Sequence, residues 1–265
     1  MVKNPFARKT VGLVLSGGGT HGYAHIGVLE VLESHGIVPN LVVGSSVGSL
    51  VGSCVAAGKS SKEIFDYFIP LNTQSLLSFS FKQSGLLKSE TTVKYVLDFI
   101  GKKTFRDLDI PLIVNAANIN TGKEKLFRKG SLEIALAASV AVPGVFAPVA
   151  IKNNFFVDGS LSNNLPLDTV KDMDVIIAVD ISYFNSKITT RSTSLSILKN
   201  SIAIMQRKII DDTLKNFNFK KKTLVFIRPV LDDISIYDIR KKTRLDLVRR
   251  GRLEARKVLR KVLAR

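Results

Sequence analysis

The chain is poor in the residues that would make several functions easy to assign. Among its 265 residues there is one cysteine, Cys54, no tryptophan and three histidines. A single cysteine excludes an internal disulfide and any cysteine-rich metal centre, and it fits a reducing compartment. Long hydrophobic runs are missing too. The stretch 41–58 is broken by glycines and serines, and 134–151 contains Pro143, Gly144 and Pro148. A lipid-spanning helix needs about 20 uninterrupted residues, which neither stretch supplies. The basic opening segment leads into an apolar run, 11–15, that is too short for a signal-peptide core and meets three glycines at once. No linker-like composition or internal repeat divides the chain. One soluble, cytoplasmic domain spanning 1–265 is therefore expected.

Acidic residues are scarce: 22 Asp and Glu stand against 39 Lys and Arg, a formal net charge of +17. That balance favours anionic partners, either lipid surfaces or nucleic acid. The lysine run 220–222 and the tail 239–265 hold much of the excess, and no nucleic-acid motif surrounds them, so no nucleic-acid partner is expected. In the tail Leu245, Val248, Ala255, Leu259 and Val262 share one helical stripe. This predicts a basic C-terminal helix packed on the domain, its outer face in water or against anionic lipid at the inner face of the membrane.

What is present alternates between strand and helix. Strands are expected at 11–16, 40–43, 111–117, 125–127, 154–157, 174–179 and 223–228, the first and 174–179 of them buried. Helices are expected from Ala24 to Gly36, after Ser46 to Gly58, from Ser60 or Ser61 to Pro70, and over 93–100, 131–141 and 192–215, the last of them amphipathic. The Ser-rich segment 72–92, with Phe79, Phe81, Leu86 and Leu87, reads as a surface connection or a lid. Such alternation predicts an α/β fold with a parallel sheet covered on both faces.

Two glycine motifs end the first two strands. Gly44-Ser45-Ser46-Val47-Gly48 follows an apolar run and opens an apolar, alanine-rich segment. A strand that turns at once into a helix holds one residue strained at the tip, and the flanking glycines keep that corner clear, so Ser46 stands clear of the sheet as a candidate nucleophile. Gly17-Gly18-Gly19-Thr20-His21-Gly22 also satisfies a dinucleotide pattern, but no acidic residue ends the next strand to hold a ribose. A P-loop would need Gly-Lys-Ser/Thr where His21-Gly22-Tyr23 stands. Three glycines at a helix start can instead expose backbone N–H groups to an oxyanion.

His21, His25 and His35 all precede Ser46, whereas a Ser-His-Asp device of the α/β-hydrolase kind needs a late histidine. His35 reads as a helix cap, His25 as structural, and His21 as a residue of the loop with a possible local role. A carboxylate at a strand end can take the serine proton directly. Asp158 and Asp180 both qualify, with Gly159 leaving room beside Asp158.

These blocks, together with Ala24-His25-Ile26-Gly27-Val28-Leu29, Ala138-Ser139-Val140-Ala141-Val142-Pro143-Gly144-Val145-Phe146 and Val157-Asp158-Gly159-Ser160-Leu161-Ser162-Asn163-Asn164-Leu165-Pro166, resemble the patatin-like phospholipase family, in its compact bacterial form. The resemblance implies a three-layer α/β/α fold with a mainly parallel central sheet. It implies a Ser46–Asp158 dyad, with Asp180 in a structural role, and an oxyanion hole from the amides of Gly17, Gly18, Gly19 and Thr20. Gly22, Gly44, Gly48 and Gly159 complete the motifs. The implied activity is hydrolysis of a fatty acyl ester or phospholipid through an acyl-enzyme, without cofactor or metal. The alternatives are a catalytically weak lipid-binding or regulatory module on the same fold and, from a different class, a dinucleotide-dependent enzyme. Three departures stand out: His21 where the family usually has Arg or Lys, Ser160 after Asp-Gly, and Val47 where a small residue is common.

Overall fold

A computed structural model describes residues 4–70, 89–182, 189, 193–236 and 238–264. In chain order the first half contains β1 (Val11–Leu15), α1 (Tyr23–Ser34), β2 (Leu41–Gly44), α2 (Val47–Ala56), α3 (Ser61–Phe68), α4 (Ser89–Ile100) and β3 (Leu112–Asn118). The second half adds β4 (Glu124–Phe127), α5 (Leu132–Ser139), β5 (Val149–Ile151), β6 (Asn154–Asp158), β7 (Val175–Val179), α6 (Ser194–Asn216), β8 (Thr223–Ile227) and α7 (Lys241–Leu263). Residues 72–88, most of the segment 72–92 expected as a connection or lid, lie outside the described residues; Ser89 already opens α4.

Strands β3, β2, β1, β7 and β8 pair in parallel in that order. Successive side chains along a strand point to opposite faces. Accordingly Leu13, Leu15, Ile177 and Val179 enter one core, and Val14, Ile176 and Ala178 enter another. Helices α1 to α5 and α7 cover the first core, while α6 and the turns around Leu165 to Val170 cover the second. The result is a three-layer α/β fold with a mainly parallel sheet.

The mainly parallel sheet gains its antiparallel part at β3, which pairs antiparallel with both β4 and β6, and β6 pairs antiparallel with β5. Val114 faces both β2 and β4, and Ala116 and Ala117 face both β4 and β6. A strand has two edges, so β2 and β6 must share one. They approach from opposite directions and stop with Gly44 opposite Val114 and Asp158 opposite Ala116. Only Asn115 separates those two register positions. The carboxyl ends of β2 and β6 thus point at each other.

Helix α7 lies on α1 at a glycine contact. A Cβ on Gly27 would sit 1.9 Å from the Val248 carbonyl oxygen, and one on Gly251 would sit 2.0 Å from that of Ala24. The buried face of α7 includes Leu247, Val248, Gly251, Ala255 and Leu259. Leu245, expected in that stripe, is 41% exposed, because the helix turns its face through Leu247 and the small Gly251 instead. Helix α6 differs from a simple amphipathic helix: Ala203 and Ile210 are buried, but Ile197, Leu198, Ile204, Met205 and Ile209 are exposed on the other side.

Candidate active site

Ser46 caps α2 with φ 52° and ψ −129°, a positive φ that few non-glycine residues adopt. The strain is held by close packing at both flanks. A Cβ at Gly44 would lie 2.4 Å from the Ser49 Cα, and one at Gly48 would lie 2.2 Å from the Leu15 carbonyl oxygen. Helix α2 can therefore turn back over the end of β2 only with glycine at 44, and begin against the end of β1 only with glycine at 48. The Ser46 N–H donates to Ser139 Oγ at 3.0 Å, which fixes the elbow from the α5 side.

The head-on approach of β2 and β6 brings Asp158 to this elbow. Ser46 Oγ donates to Asp158 Oδ2 at 2.6 Å, and Ser160 N donates to Asp158 Oδ1 at 2.8 Å. Ser46 is 7% exposed and Asp158 1%. Burial pushes the Asp158 carboxyl above the usual carboxylate range, against the opposing pull of the bonds from Ser46 and Ser160. Asp180, the other carboxylate considered from sequence, is engaged elsewhere: Oδ2 accepts from Arg228 Nε at 2.6 Å and Oδ1 from Ser182 N at 2.9 Å.

The glycine loop touches the same point. A Cβ on Gly17 would be 2.7 Å from the Ser46 Cβ and 3.5 Å from the Ser160 Cβ. Of the four amides expected to face an oxyanion, two are occupied. Gly17 N donates to Asn164 Oδ1 at 2.8 Å, and Thr20 N donates to the Ile236 carbonyl at 3.1 Å. The N–H groups of Gly18 and Gly19 meet no acceptor among the described residues. Of the four loop amides, those of Gly18 and Gly19 are thus the two left without a protein acceptor among the described residues.

Each histidine has a different part in this frame. His21 is buried under the loop, its ring nitrogens 2.8 Å from the Ile234 carbonyl and 3.3 Å from that of Ile181, and burial lowers its pKa. It ties the loop to the segments following β7 and β8. His25 is fully buried with Nε2 3.0 Å from the Ser16 carbonyl, and burial lowers its pKa to about 4. His35 caps α1, with Nδ1 2.9 Å from the Val31 carbonyl.

Three supporting side chains were given no role by the sequence reading, although two of them, Ser139 and Asn164, stand in the blocks that carry the resemblance. Asn164 holds both ends of the Gly17 peptide, accepting from its N–H and approaching its carbonyl with Nδ2 at 3.4 Å. Ser139 orients the Ser46 amide. Asn115, in the gap between the two strand ends, donates through Nδ2 to the Asn163 carbonyl at 2.7 Å and lies against Gly159. Their visible signal is a polar residue inside an otherwise apolar run, but a burial pattern names no partner. No three His, Cys, Asp or Glu side chains gather at metal-binding spacing among the described residues.

Comparisons with known proteins bear on the family and the fold. The model of the patatin-like phospholipase family matches residues 13–171. An uncharacterized NTE family protein of Mycobacterium tuberculosis is 33% identical over 181 residues, 67% of this chain and 50% of the relative. The lysophospholipase NTE1 of Candida albicans is 30% identical over 188 residues, 66% of this chain and 13% of that protein. The chain thus spans half the length of the mycobacterial relative and a small part of the yeast one. Among solved structures, VipD from Legionella pneumophila superposes over 97% of this chain and 68% of its own, with a TM-score of 0.62 at 16% identity, a likeness of fold. The family match covers more than half of the sequence and includes the glycine loop, Ser46 and Asp158, so the chain belongs to the patatin-like phospholipase family.

Proposed function

We propose that the chain is a serine lipid acyl hydrolase in which Ser46 is the nucleophile and Asp158 the base. The observation that carries this reading is the buried 2.6 Å hydrogen bond from Ser46 Oγ to Asp158 at a strained elbow. Asp158 takes the hydroxyl proton as Oγ attacks the ester carbonyl carbon. The carbonyl oxygen becomes an oxyanion facing the Gly18 and Gly19 amides. Collapse breaks the ester C–O bond, and the leaving alcohol takes the proton from Asp158. Water then gives a proton to Asp158 while its oxygen attacks the acyl-serine. A second oxyanion collapses, the proton returns to Ser46, and the fatty acid leaves. The family and the lysophospholipase among the relatives favour a phospholipid or lysophospholipid substrate over a simpler carboxylic ester.

Covalent capture tests the proposal. A fluorophosphonate probe should label the native chain and fail on Ser46→Ala, and Asp158→Ala should lower ester turnover by about 10³-fold or more, within the usual range for a lost base. A native chain that the probe leaves unlabelled would instead be a lipid-binding module on the same fold.

A further inference from the structure

Beside the nucleophile lies an apolar cavity of about 170 Å³ that the mechanism above does not use. Its walls come from the glycine loop, α1, α2, α3 and α4, and they reach the site: Val47, which follows Ser46 directly, and Gly19, whose amide has no protein acceptor among the described residues, both line it. Helix α2 lines it with Val47, Leu50, Val51 and Cys54, positions that recur on one helical face. From Val47 to Cys54 the helix advances two turns, roughly 10 Å. Ile64 and Phe68 contribute from α3. Burial pushes the Cys54 thiol up to about 12, so at the floor of the cavity it behaves as a small neutral hydrophobe.

We infer that this cavity takes the acyl chain of the substrate and that Leu50 and Cys54 set how far the chain reaches; the inference rests on the acyl-hydrolase reading. An ester carbonyl held between Ser46 Oγ and the Gly18 and Gly19 amides has its acyl substituent at the Val47 mouth. Val47 fills the space that the absent side chain of Gly22 leaves: a Cβ there would lie 2.4 Å from Val47 Cγ2. A chain must therefore pass along the Leu50 side of Val47. An apolar cavity of about 150 Å³ stays dry and holds one benzene, so the volume here suits on the order of six to eight chain carbons. The bulk of Val47, unusual after such a serine, narrows the mouth to a single chain.

A series of p-nitrophenyl esters from acetate to palmitate tests this. In the native chain kcat/KM should climb about three- to fourfold per methylene, the usual gain from apolar burial, and level off near octanoate. Leu50→Trp, which projects into the cavity, should lower the octanoate-to-acetate ratio of kcat/KM by about tenfold. Leu50→Ala should move the plateau to longer chains, and this milder variant carries the test if the tryptophan does not fold. A flat chain-length profile, or one unmoved by either Leu50 variant, overturns the inference and leaves the hydrolase standing. A native chain that turns over no ester removes the hydrolase reading, and this inference with it.

Discussion

Asp158 is a carboxylate with two hydrogen-bond donors and almost no water, and the balance of those influences sets a measurable pH dependence. Desolvation is the largest, so the carboxyl binds its proton more readily in the native state than in the unfolded chain. Its stability contribution is therefore fully present below the unfolded carboxylate value, about 4, and is lost as pH rises through the higher native value. Asp158→Asn retains a side chain able to meet Ser46 and Ser160 while removing the charge. It should melt at a higher temperature than the parent at pH 8, with the difference closing toward pH 4, and its turnover should be at most a thousandth of the parent's. In the parent, the acid limb of kcat/KM should fall at a pH clearly above 4. A limb at an ordinary carboxylate value, with equal melting curves at pH 8, would mean Asp158 is well solvated in solution. The proposed nucleophile was legible in the sequence because the glycines that permit a strained Ser46 stand next to it. The carboxylate proposed as base was not legible from local pattern alone. Asp158 and Asp180 both end strands, and what separates them is Arg228, which pairs with Asp180 from 48 positions away.

At the scale of elements, the parallel core could be read from its runs of valine, leucine and isoleucine, but the antiparallel extension could not. Strand β5 lies inside an apolar stretch that also holds helix α5, and nothing local announces that β3 takes three partners. That third pairing matters most, since it aims Asp158 at Ser46. The terminal helix was legible as a helix, yet its rotation was set by glycine: Gly251 lets α7 reach the backbone of α1, and Leu245 turns outward as a result. Replacing a helical glycine with alanine ordinarily stabilises by about 1 kcal/mol. At Gly251 the sign should reverse, because the new methyl would lie 2.0 Å from a backbone oxygen that cannot rotate away. Gly251→Ala should lose about 1–3 kcal/mol, the usual cost of overpacking, and lower Tm by several degrees. An unchanged or raised Tm would show that α7 sits further from α1 in solution.

The whole molecule carries a net charge of +17, and the fold decides which of those charges are available to a partner. On α7, Arg252 pairs with Glu30, Arg250 with Asp233 and Asp246, Arg249 with Asp246, and Lys257 with Glu254. Arg256, Arg260 and Lys261 are exposed and pair with no carboxylate among the described residues. Cations near a helix C-terminus are favoured by the helix dipole, which explains their tolerance without explaining their number. If the outer face of α7 meets anionic lipid, each contributes about 1 kcal/mol near such a surface. Deleting α7 is a poor test, since it strips Leu247, Val248, Ala255 and Leu259 from the core. Charge reversal keeps the buried face: Arg256→Glu, Arg260→Glu and Lys261→Glu together should weaken binding to phosphatidylserine vesicles at low salt by about 100-fold or more. Binding to neutral phosphatidylcholine vesicles and the melting temperature should change little. The parent's affinity for the charged vesicles should also fall steeply as salt shortens the Debye length. Undiminished binding by the reversed variant would remove α7 from the interface and move attention to the outward side of α6, where Ile197, Leu198, Ile204, Met205 and Ile209 face water on a helix whose Gln206 reaches Ser160.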